Sequence, residues 1–527
     1  MRTFLLPLLL CTAALSGCTI APRHPALQND ALPELLPAHE FFANRDSNGL
    51  YTISPDGKKI AWIAVKGLGP ALFVKSIGQD DVKAFKAMPI GFKWAQDSRR
   101  LFYLKDDGGN ENYHVLMVDS ERPDAPPVDL TPHPGIRATI HKVVKPDPAH
   151  ILVLHNQRDK ALFDLYKINI DTREQTLVAQ NPGDAIGVVT DDNGDVVGLM
   201  RQSGKRTWLM AKQPDAESLR EIIAWDSEET VQVVDVAPDR HSLYLLSNRN
   251  RDRVGLTRLD LKSRRETLFY EDPEVDIERA TVSRISHEPL FAYSVPGYPK
   301  LHVFDAKIRA DLERLLPDPP RGIQIISADD SEQQVTVKLD SDGATQYYLV
   351  DRGIADPGKI AIMGASYGGY ATLVGLTFTP DVFACGVDIV GPSNLATLLE
   401  TFPEYWKPFM HKWYRYVGDP GVPEQRKRML EKSPVTRADA VRSPVLIIHA
   451  ANDARVKQAQ ADEMVSALRR AGKPVDYLLF ADAGHSGGDW SWGKRLRAFR
   501  MTEDFLAKCL GGRSSGFDYY ELAAWLF

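Results

Sequence analysis

The sequence has few cysteines and none of the common motifs for metals or nucleotides. Only four cysteines occur in 527 residues, and two of them, Cys11 and Cys18, lie in the N-terminal segment, which excludes a disulfide scaffold. Cys385 and Cys509 have apolar neighbours and are interpreted as core residues, although a disulfide between them stays open. HExxH, paired CxxC and glycine-rich phosphate-loop patterns are missing, so we expect neither a metal nor another cofactor.

The sequence also lacks an excess of one charge and an apolar run long enough to span a bilayer. The formal net charge is -6 and 25% of the residues are charged, a balance that supports neither nucleic-acid binding nor disorder. With 43% hydrophobic residues, the chain is long enough for two or three domains that each bury a core.

The N-terminus has the pattern of a secretion signal. Arg2 precedes the apolar stretch "TFLLPLLLCTAAL", which is too short for a lasting transmembrane helix. The stretch ends in "LSGC", which resembles the bacterial lipobox, whose cysteine carries lipid after cleavage; an ordinary signal with a chance cysteine is the alternative. Residues 1–18 are therefore predicted to be a lipoprotein signal peptide with Cys18 as the lipid anchor, and the proline-containing residues 19–40 a tether. Thr19 stands where Asp would retain a lipoprotein in the inner membrane, which favours a periplasm-facing position on the outer membrane of a bacterial cell envelope.

A repeat fills the middle of the chain, from about residue 50 to 352. Its turns include "SPDGKKIAWIA", "WAQDSRRLFYL", "KPDPAHILVLH", "TDDNGDVVGLM" and "APDRHSLYLLS", whose aspartates follow each other at steps of 41 to 50 residues. A second motif recurs in the same units, as in "LYKINIDTREQTLVAQ" and "LHVFDAKIRADLERLLPD", where a charged turn is predicted to lead into an outer strand. The period, and the presence of two motifs in the same units, predict a seven-bladed β-propeller over residues 41–352 rather than a sandwich with evenly spaced hairpins.

After residue 358 the periodicity changes to that of an α/β domain. The run "KIAIM" is typical of a buried parallel strand, and "YGGYATLVGLTF" has helical spacing of its apolar residues. Between them lies "GASYGG", residues Gly364 to Gly369, which matches the G-x-S-x-G nucleophile elbow with Ser366 at its apex. The string alone arises by chance, but its position between a strand and a helix favours a catalytic serine.

A catalytic serine needs a base and a carboxylate that orients the base. Two later apolar strands, "VLIIH" and "VDYLLF", are each followed by a loop, and these loops contain Asp453 and His485. The order Ser, Asp, His is the one expected for this type of domain, and such loops form the active-site edge of a parallel sheet. A solvated aspartate and a histidine without a role are the alternatives; the combination of all three residues favours a triad.

The segments "GIADPGKIAIMGASYGGYAT", "YWKP" and "SPVLIIHAANDARVKQAQADEMVSALRRAGKPVDYLLFADAGH" resemble the prolyl oligopeptidase family of serine peptidases, in its acylaminoacyl-peptidase and dipeptidyl-peptidase branch. The resemblance implies a multidomain fold, with the propeller followed by an α/β-hydrolase domain of a parallel sheet and flanking helices at residues 353–512, then a tail at 513–527. It implies Ser366 as nucleophile, His485 as general base and acid, Asp453 as orienting carboxylate and the Tyr367 backbone N–H as an oxyanion donor. It also implies that the propeller caps the site and admits peptides.

The sequence departs from this family just upstream of the elbow. Only fourteen residues separate Arg352 from Ser366, too few for a further strand and crossover helix, so only "KIAIM" leads into the serine. The stretch that would supply the first half of the sheet, and the loop with the second oxyanion donor, is missing. We therefore predict an internally shortened peptidase with weak or no activity.

Two other functions remain open from the sequence. A catalytically silent propeller that binds partners at the cell envelope is favoured by the missing half-domain and disfavoured by the retained triad. A hydrolase of small esters would need the same three residues. Tyr405 and Trp406 are candidates for a specificity pocket, although an aromatic pair in a helix is more often part of a core.

Overall fold

The computed structural model describes residues 48–339 and 358–516, together with residue 520. Residues 67–68, 86–90, 214–217, 227, 297–299, 316–322 and 488–489 within these ranges are not described. Three predicted features therefore lie outside the described residues: the signal peptide with Cys18, the tether, and the point just upstream of the elbow where a stretch is missing relative to the family. In the part that is described, no helix is both long and apolar enough to cross a membrane.

The N-terminal domain is a β-propeller of antiparallel sheets, each built from consecutive strands. Five blades have four strands each: Asn48–Ile53, Lys59–Lys66, Gly69–Ser76 and Lys83–Phe85; Phe92–Trp94, Arg100–Lys105, His114–Asp119 and Val128–Asp129; Ala138–Val143, His150–Asp159, Leu162–Asn169 and Gln175–Ala179; Ala185–Thr190, Val196–Ser203, Arg206–Lys212 and Leu219–Asp226; Val231–Val236, Ser242–Ser247, Gly255–Asp260 and Glu266–Tyr270. Their facing apolar side chains form the cores between neighbouring blades.

The aspartate of the repeat closes the turn between the first two strands of a blade. Asp97 Oδ1 accepts hydrogen bonds from the backbone N–H groups of Arg99 and Arg100, both at 2.9 Å. Asp239 Oδ1 does the same for His241 and Ser242, both at 3.0 Å. An aspartate that binds the backbone two residues ahead stabilises a tight turn, which explains why the sequence repeats it.

In their described residues, the last two units do not form the two complete blades that were predicted, and residues 340–352 of the predicted propeller lie outside the described part. The sixth blade has three strands, Ile277–Val282, Pro289–Ser294 and Lys300–Val303, and the seventh unit is the hairpin Ile323–Ala328 with Val335–Leu339. The described residues thus form six blades of three or four strands, not seven. The outer strand predicted in "LHVFDAKIRADLERLLPD" is instead the helix Ala306–Leu315, because "AKIRADLERL" is rich in good helix formers and lacks strand alternation.

Contacts between the first blade and the last hairpin bring the two ends of the propeller together. The Ile53 backbone N–H donates to Ser327 Oγ at 3.0 Å, and Thr336 Oγ1 donates to the Tyr51 carbonyl at 2.9 Å. The hairpin therefore lies against the innermost strand of the first blade, as closure of a propeller requires.

The C-terminal domain contains four parallel strands that pair in sequence order: Ala361–Ala365, Cys385–Ile389, Val445–Ala450 and Val475–Phe480. Its helices are Tyr367–Phe378, Leu395–Glu400, Met410–Tyr416, Pro423–Glu431, Gln458–Arg470 and Trp492–Leu510, with 3-10 helices at Glu404–Phe409 and Pro434–Ala440. Every residue of Val445–Ala450 is buried, whereas the first strand has partners on one side only among the described residues and leaves Met363 57% exposed. The half-sheet predicted from the sequence is present, with the serine strand at its edge.

Cys385 and Cys509 form a disulfide. Cys385 begins the second strand of the sheet and Cys509 lies near the end of the helix Trp492–Leu510, with their Cα atoms 6.3 Å apart. Cys385 is fully buried and Cys509 packs against the same apolar cluster. The interpretation of these residues as core residues alone is therefore incomplete, since the bond also ties the C-terminal helix to the sheet.

Reduction of this disulfide should destabilise the domain by roughly 2–4 kcal/mol, because the bond restricts a long segment of the unfolded chain. We expect urea unfolding to show a lower midpoint with a phosphine reductant than without it. The double variant Cys385→Ala/Cys509→Ala should have the same urea midpoint with and without the reductant. Equal midpoints for the unmodified protein with and without reductant would contradict the prediction.

Candidate active site

Ser366 lies in the turn between the strand Ala361–Ala365 and the helix Tyr367–Phe378. Its backbone has φ 58° and ψ -121°, a conformation that costs a non-glycine residue about 1–3 kcal/mol. The Ser366 N–H donates to the Ile389 carbonyl on the neighbouring strand at 2.8 Å, which holds the turn. The sequence thus forms the predicted strand, sharp turn and helix with the serine at the apex.

Two glycines permit this turn and a third does not need to be glycine. A Cβ on Gly364 would lie 2.3 Å from the Gly368 carbonyl oxygen, and one on Gly369 would lie 2.2 Å from Asp388 Oδ1 and 2.8 Å from the Gly391 Cα. A Cβ on Gly368 would have nothing within 4 Å. Close packing therefore requires glycine at Gly364 and Gly369, and the described residues leave room for a side chain at Gly368.

The structure brings Ser366, Asp453 and His485 together in one hydrogen-bonded chain. His485 Nε2 lies 2.8 Å from Ser366 Oγ, and His485 Nδ1 lies 2.6 Å from Asp453 Oδ2. Asp453 is 2% exposed, and its Oδ1 accepts hydrogen bonds from the Arg455 and Val456 backbone N–H groups. Both Asp453 oxygens therefore lie in acceptor positions, an arrangement that favours the imidazole tautomer with the proton on Nδ1 and the Nε2 lone pair toward the serine.

The two loops that position this chain follow neighbouring strands of the sheet. Asp453 comes after Val445–Ala450 and His485 after Val475–Phe480, as expected from the sequence. The Tyr367 N–H belongs to the first turn of its helix, where backbone donors have no acceptor within the helix. Such a donor next to the serine is suited to bind an oxyanion.

A loop of the second blade packs on both of these loops. This loop, residues 106–113, joins two strands of the blade, and its Gly109 lies so close to Gly484 that a Cβ on either would come within 2.1 Å of the other's backbone. Asn452 Nδ2 donates to the Gly108 carbonyl at 2.8 Å. The propeller thereby contacts the residues next to both His485 and Asp453.

Glu111, in the same loop, is the centre of a buried ion cluster between the domains. Its carboxylate is 1% exposed and accepts from Arg455 Nε at 2.7 Å, from an Arg137 guanidinium nitrogen at 2.8 Å and from the Tyr405 hydroxyl at 2.5 Å. Burial would raise the Glu111 pKa, but the hydrogen bonds from Tyr405 and Arg137 and the charge of Arg455 outweigh it and lower the pKa. Glu111 could not be predicted from the sequence, because its partners on the hydrolase domain lie about 300 residues away and leave no local pattern.

Neutralising Glu111 should weaken the contact between the domains. Glu111→Gln removes the buried carboxylate from Arg137 and Arg455, whose side chains are partly exposed, and loss of hydrogen bonds to a charged group typically costs about 1–3 kcal/mol. We expect a lower unfolding midpoint in urea, while Glu121→Gln, at a side chain that is 54% exposed, should change it little. Equal midpoints for the two variants would show that the cluster contributes no stability.

Tyr405 and Trp406 line a cavity of about 560 Å³ between the domains. Arg137 lies over the Tyr405 ring at 4.2 Å, and Trp406 packs against Phe402 and Trp413 with ring centroids at 4.7 and 6.1 Å. The propeller side of the cavity is apolar, with Leu154, Phe163, Ile186, Val188 and Leu199. The aromatic pair thus lines a cavity of the size and character of a ligand pocket.

Asp388 is a fully buried carboxyl behind the elbow. Its Oδ1 accepts from the Gly391 N–H at 2.9 Å, and its Oδ2 has no hydrogen-bond partner among the described residues. Burial raises the pKa of Asp388 to about 7. In the unfolded chain this pKa is near 4, so the folded state holds more protons between these values.

Folding stability should therefore fall as the pH rises from about 4 to 7, by up to about 1.4 kcal/mol per pH unit from this group. Asp388→Asn keeps the shape of the side chain without the ionisation. We expect the variant to lose this slope, which urea unfolding at several pH values measures. An identical slope in the variant and the unmodified protein would assign the effect to other groups.

Comparison with known proteins finds peptidases similar to this chain. Residues 342–513 match the model of the prolyl oligopeptidase family. Dipeptidyl aminopeptidase BIII of Pseudoxanthomonas mexicana is 29% identical over 635 aligned residues, which cover 91% of this chain and 89% of that protein. Dipeptidyl peptidase family member 6 of Caenorhabditis elegans is 47% identical over 171 residues, 32% of this chain and 23% of that protein.

Solved structures share the two-domain fold. A puromycin-hydrolysing peptidase of Mycobacterium tuberculosis superimposes with a TM-score of 0.69 at 15% identity, covering 92% of this chain and 98% of that one. Prolyl oligopeptidase B of Galerina marginata gives a TM-score of 0.67 at 14% identity over 90% of this chain and 91% of its own. The match of the domain that holds Ser366 to the prolyl oligopeptidase family model, and a dipeptidyl aminopeptidase aligned along most of the chain, support a serine-type peptidase.

Proposed function

We propose that the protein hydrolyses short peptides through an acyl-enzyme on Ser366. The observation that carries the proposal is the hydrogen-bonded chain from Ser366 Oγ through His485 to Asp453, at 2.8 and 2.6 Å. These distances are within the range needed for proton transfer from a nucleophile to its base.

Each group has a defined task in this mechanism. Ser366 Oγ attacks the peptide carbonyl while His485 Nε2 takes the hydroxyl proton, and the same imidazolium then protonates the leaving amine. Asp453 stabilises the imidazolium and holds its orientation, and the Tyr367 N–H binds the oxyanion. Water, deprotonated by His485, then releases the acyl group from Ser366.

We further propose that this form works slowly because part of the hydrolase domain is missing. The alignment with dipeptidyl aminopeptidase BIII runs over 635 positions, whereas 91% of this chain is about 480 residues, which leaves about 155 positions of the relative opposite gaps. The serine strand lies at the edge of the described sheet. Loss of one oxyanion donor typically lowers the rate about 100- to 1,000-fold.

The substrate class follows from the propeller that covers the site. Loop 106–113 packs directly on the loops of His485 and Asp453, and this contact supports a site that admits short peptides rather than folded proteins. The relatives named as dipeptidyl peptidases support short peptides with a free N-terminus as the first substrates to test.

A fluorophosphonate probe and a panel of chromogenic substrates test the proposal. We expect covalent labelling of Ser366, found by peptide mass mapping, and slow release from dipeptidyl p-nitroanilides that exceeds release from acetyl-aminoacyl p-nitroanilides. Faster turnover of p-nitrophenyl butyrate alone would identify a small-ester hydrolase. A folded protein that is neither labelled nor active would instead support a silent binding protein of the envelope.

The cellular position is a separate proposal. We propose that Cys18 carries lipid and that the protein faces the periplasm from the outer membrane, on the basis of the "LSGC" pattern and Thr19. Expression in a bacterial host with labelled palmitate should label the protein and not its Cys18→Ser variant. Equal labelling of both would refute the anchor, and recovery in the inner-membrane fraction would refute the outer-membrane position.

A further inference from the structure

A second cavity, of about 400 Å³, lies at one mouth of the propeller channel. Its lining includes Ile53, Trp94 and Ala328, each the last residue of an innermost strand, and residues of the turns that follow these strands. Loop 106–113, which contacts the hydrolase domain, connects the second and third strands of its blade and therefore lies at the opposite end of the blade. The cavity is thus at the mouth far from Ser366.

The two carboxylates that line this cavity already have partners. Asp192 lies 3.2 Å from Lys142 Nζ and 3.1 Å from His287 Nε2. Asp235 accepts from the Val236 N–H at 2.8 Å, and burial raises its pKa. Both side chains thus contact groups other than the remaining cations of the cavity.

Three further cations line the cavity: Lys93, Lys145 and Arg284. Lys145 and Arg284 share the carboxylate of Asp330 at 4.0 and 3.8 Å, which is long for an ion pair. The Lys93 ammonium has no hydrogen bond or ion pair with any residue in the described ranges, and its side chain is exposed in the cavity. Partial loss of water around the ammonium and the charge of Arg284 lower the pKa of Lys93, a cost that a bound anion would relieve.

We propose that the far mouth of the channel binds the C-terminal carboxylate of a peptide, with Lys93 as the central cation and Arg284 and Lys145 at the rim. The cavity is much larger than an inorganic anion requires and falls within the range of ligand pockets. Phe92, Trp94 and Ile53 provide apolar surface beside the cations for the adjoining side chain. The proposal rests on the peptidase function for the class of ligand only.

Binding without turnover tests this site independently of catalysis. Ser366→Ala protein is titrated calorimetrically with acetyl-trialanine as the free acid and as the amide. We expect the acid to bind on the order of ten-fold more tightly, since a charge-assisted hydrogen bond to Lys93 is made by the acid alone. Lys93→Met in this background should remove the preference, whereas Lys205→Met, at an exposed turn outside the cavity, should keep it.

Further arms keep the result interpretable. Arg284→Gln, at a side chain that is 63% exposed, should reduce the preference without a change in unfolding midpoint, which covers the case that Lys93→Met fails to fold. Equal binding of acid and amide, or a preference that persists in Lys93→Met, would overturn the proposal. Binding of inorganic phosphate that depends on Lys93, with no preference for the peptide acid, would overturn it in favour of a small-anion site. Because no turnover is involved, a failed hydrolysis assay leaves these outcomes readable.

Discussion

Ser366→Ala is expected to abolish covalent labelling by a fluorophosphonate and to lower peptide hydrolysis by roughly 10³- to 10⁴-fold. Loss of the serine in a complete triad costs about 10⁶-fold, but a site with one weak or missing oxyanion donor starts about 100- to 1,000-fold lower. Gel fluorescence of the labelled protein and release of p-nitroaniline measure the two effects. The hydrogen bond from Ser366 to His485 Nε2, at 2.8 Å, is the structural reason to expect labelling here.

Ser286→Ala is the matched control, because Ser286 is an exposed serine on a propeller turn. It should be labelled and active like the unmodified protein. Labelling that survives in Ser366→Ala would place the reactive serine elsewhere.

A third variant, Asp453→Asn, should retain the fold and lose most of the activity, because the amide can hold the imidazole in the wrong tautomer.

Gly369→Ala should disrupt the elbow. The added methyl group would lie 2.8 Å from the Gly391 Cα and 2.2 Å from Asp388 Oδ1, so the backbone of the helix or of the neighbouring loop must move. Overpacking of this kind costs about 1–3 kcal/mol or more, and the shift displaces Ser366 from His485. We expect a lower unfolding midpoint in urea and loss of fluorophosphonate labelling.

Gly368→Ala, one residue earlier, separates this steric effect from the loss of a glycine. A Cβ at Gly368 would have no atom within 4 Å, and the residue lies in the first turn of the helix. Alanine in a helix is favoured over glycine by about 1 kcal/mol, so this variant should be as stable as the unmodified protein or more stable. If Gly368→Ala and Gly369→Ala lowered the urea midpoint and the fluorophosphonate labelling equally, steric crowding at Gly369 would not explain why the elbow needs glycine.

Much of the fold could be predicted because its signals are local. The turn aspartates Asp97 and Asp239 hold backbone groups two residues ahead, so the turn chemistry is readable from a few letters. The apolar run before Ser366 and the helical spacing after it predicted the elbow in the same way. The prediction of an outer strand at Ala306–Leu315 was wrong because the helix propensity of this segment outweighs its alignment with the outer strands of earlier repeats.

Other features depend on contacts that no short window contains. Glu111 and Arg455 are 344 residues apart in sequence, and only the packing of the propeller on the hydrolase domain makes them an ion pair. The sequence left a disulfide between Cys385 and Cys509 open, because the bond depends on the helix Trp492–Leu510 lying over the sheet. The crowding that separates Gly369 from Gly368 likewise depends on Gly391 and Asp388 from the next strand.

The sequence by itself determined the two-domain order, the propeller repeat and the three residues Ser366, Asp453 and His485, since periodicity, turn residues and strand-loop positions are properties of short segments. The tertiary structure alone decided that the last units leave six blades among the described residues and that Glu111 links the domains. It also decided that Lys93, which has no ion pair among the described residues, lines the far cavity. These features depend on which distant surfaces meet, because burial and charge pairing are set by packing across the whole chain and not by neighbours in sequence.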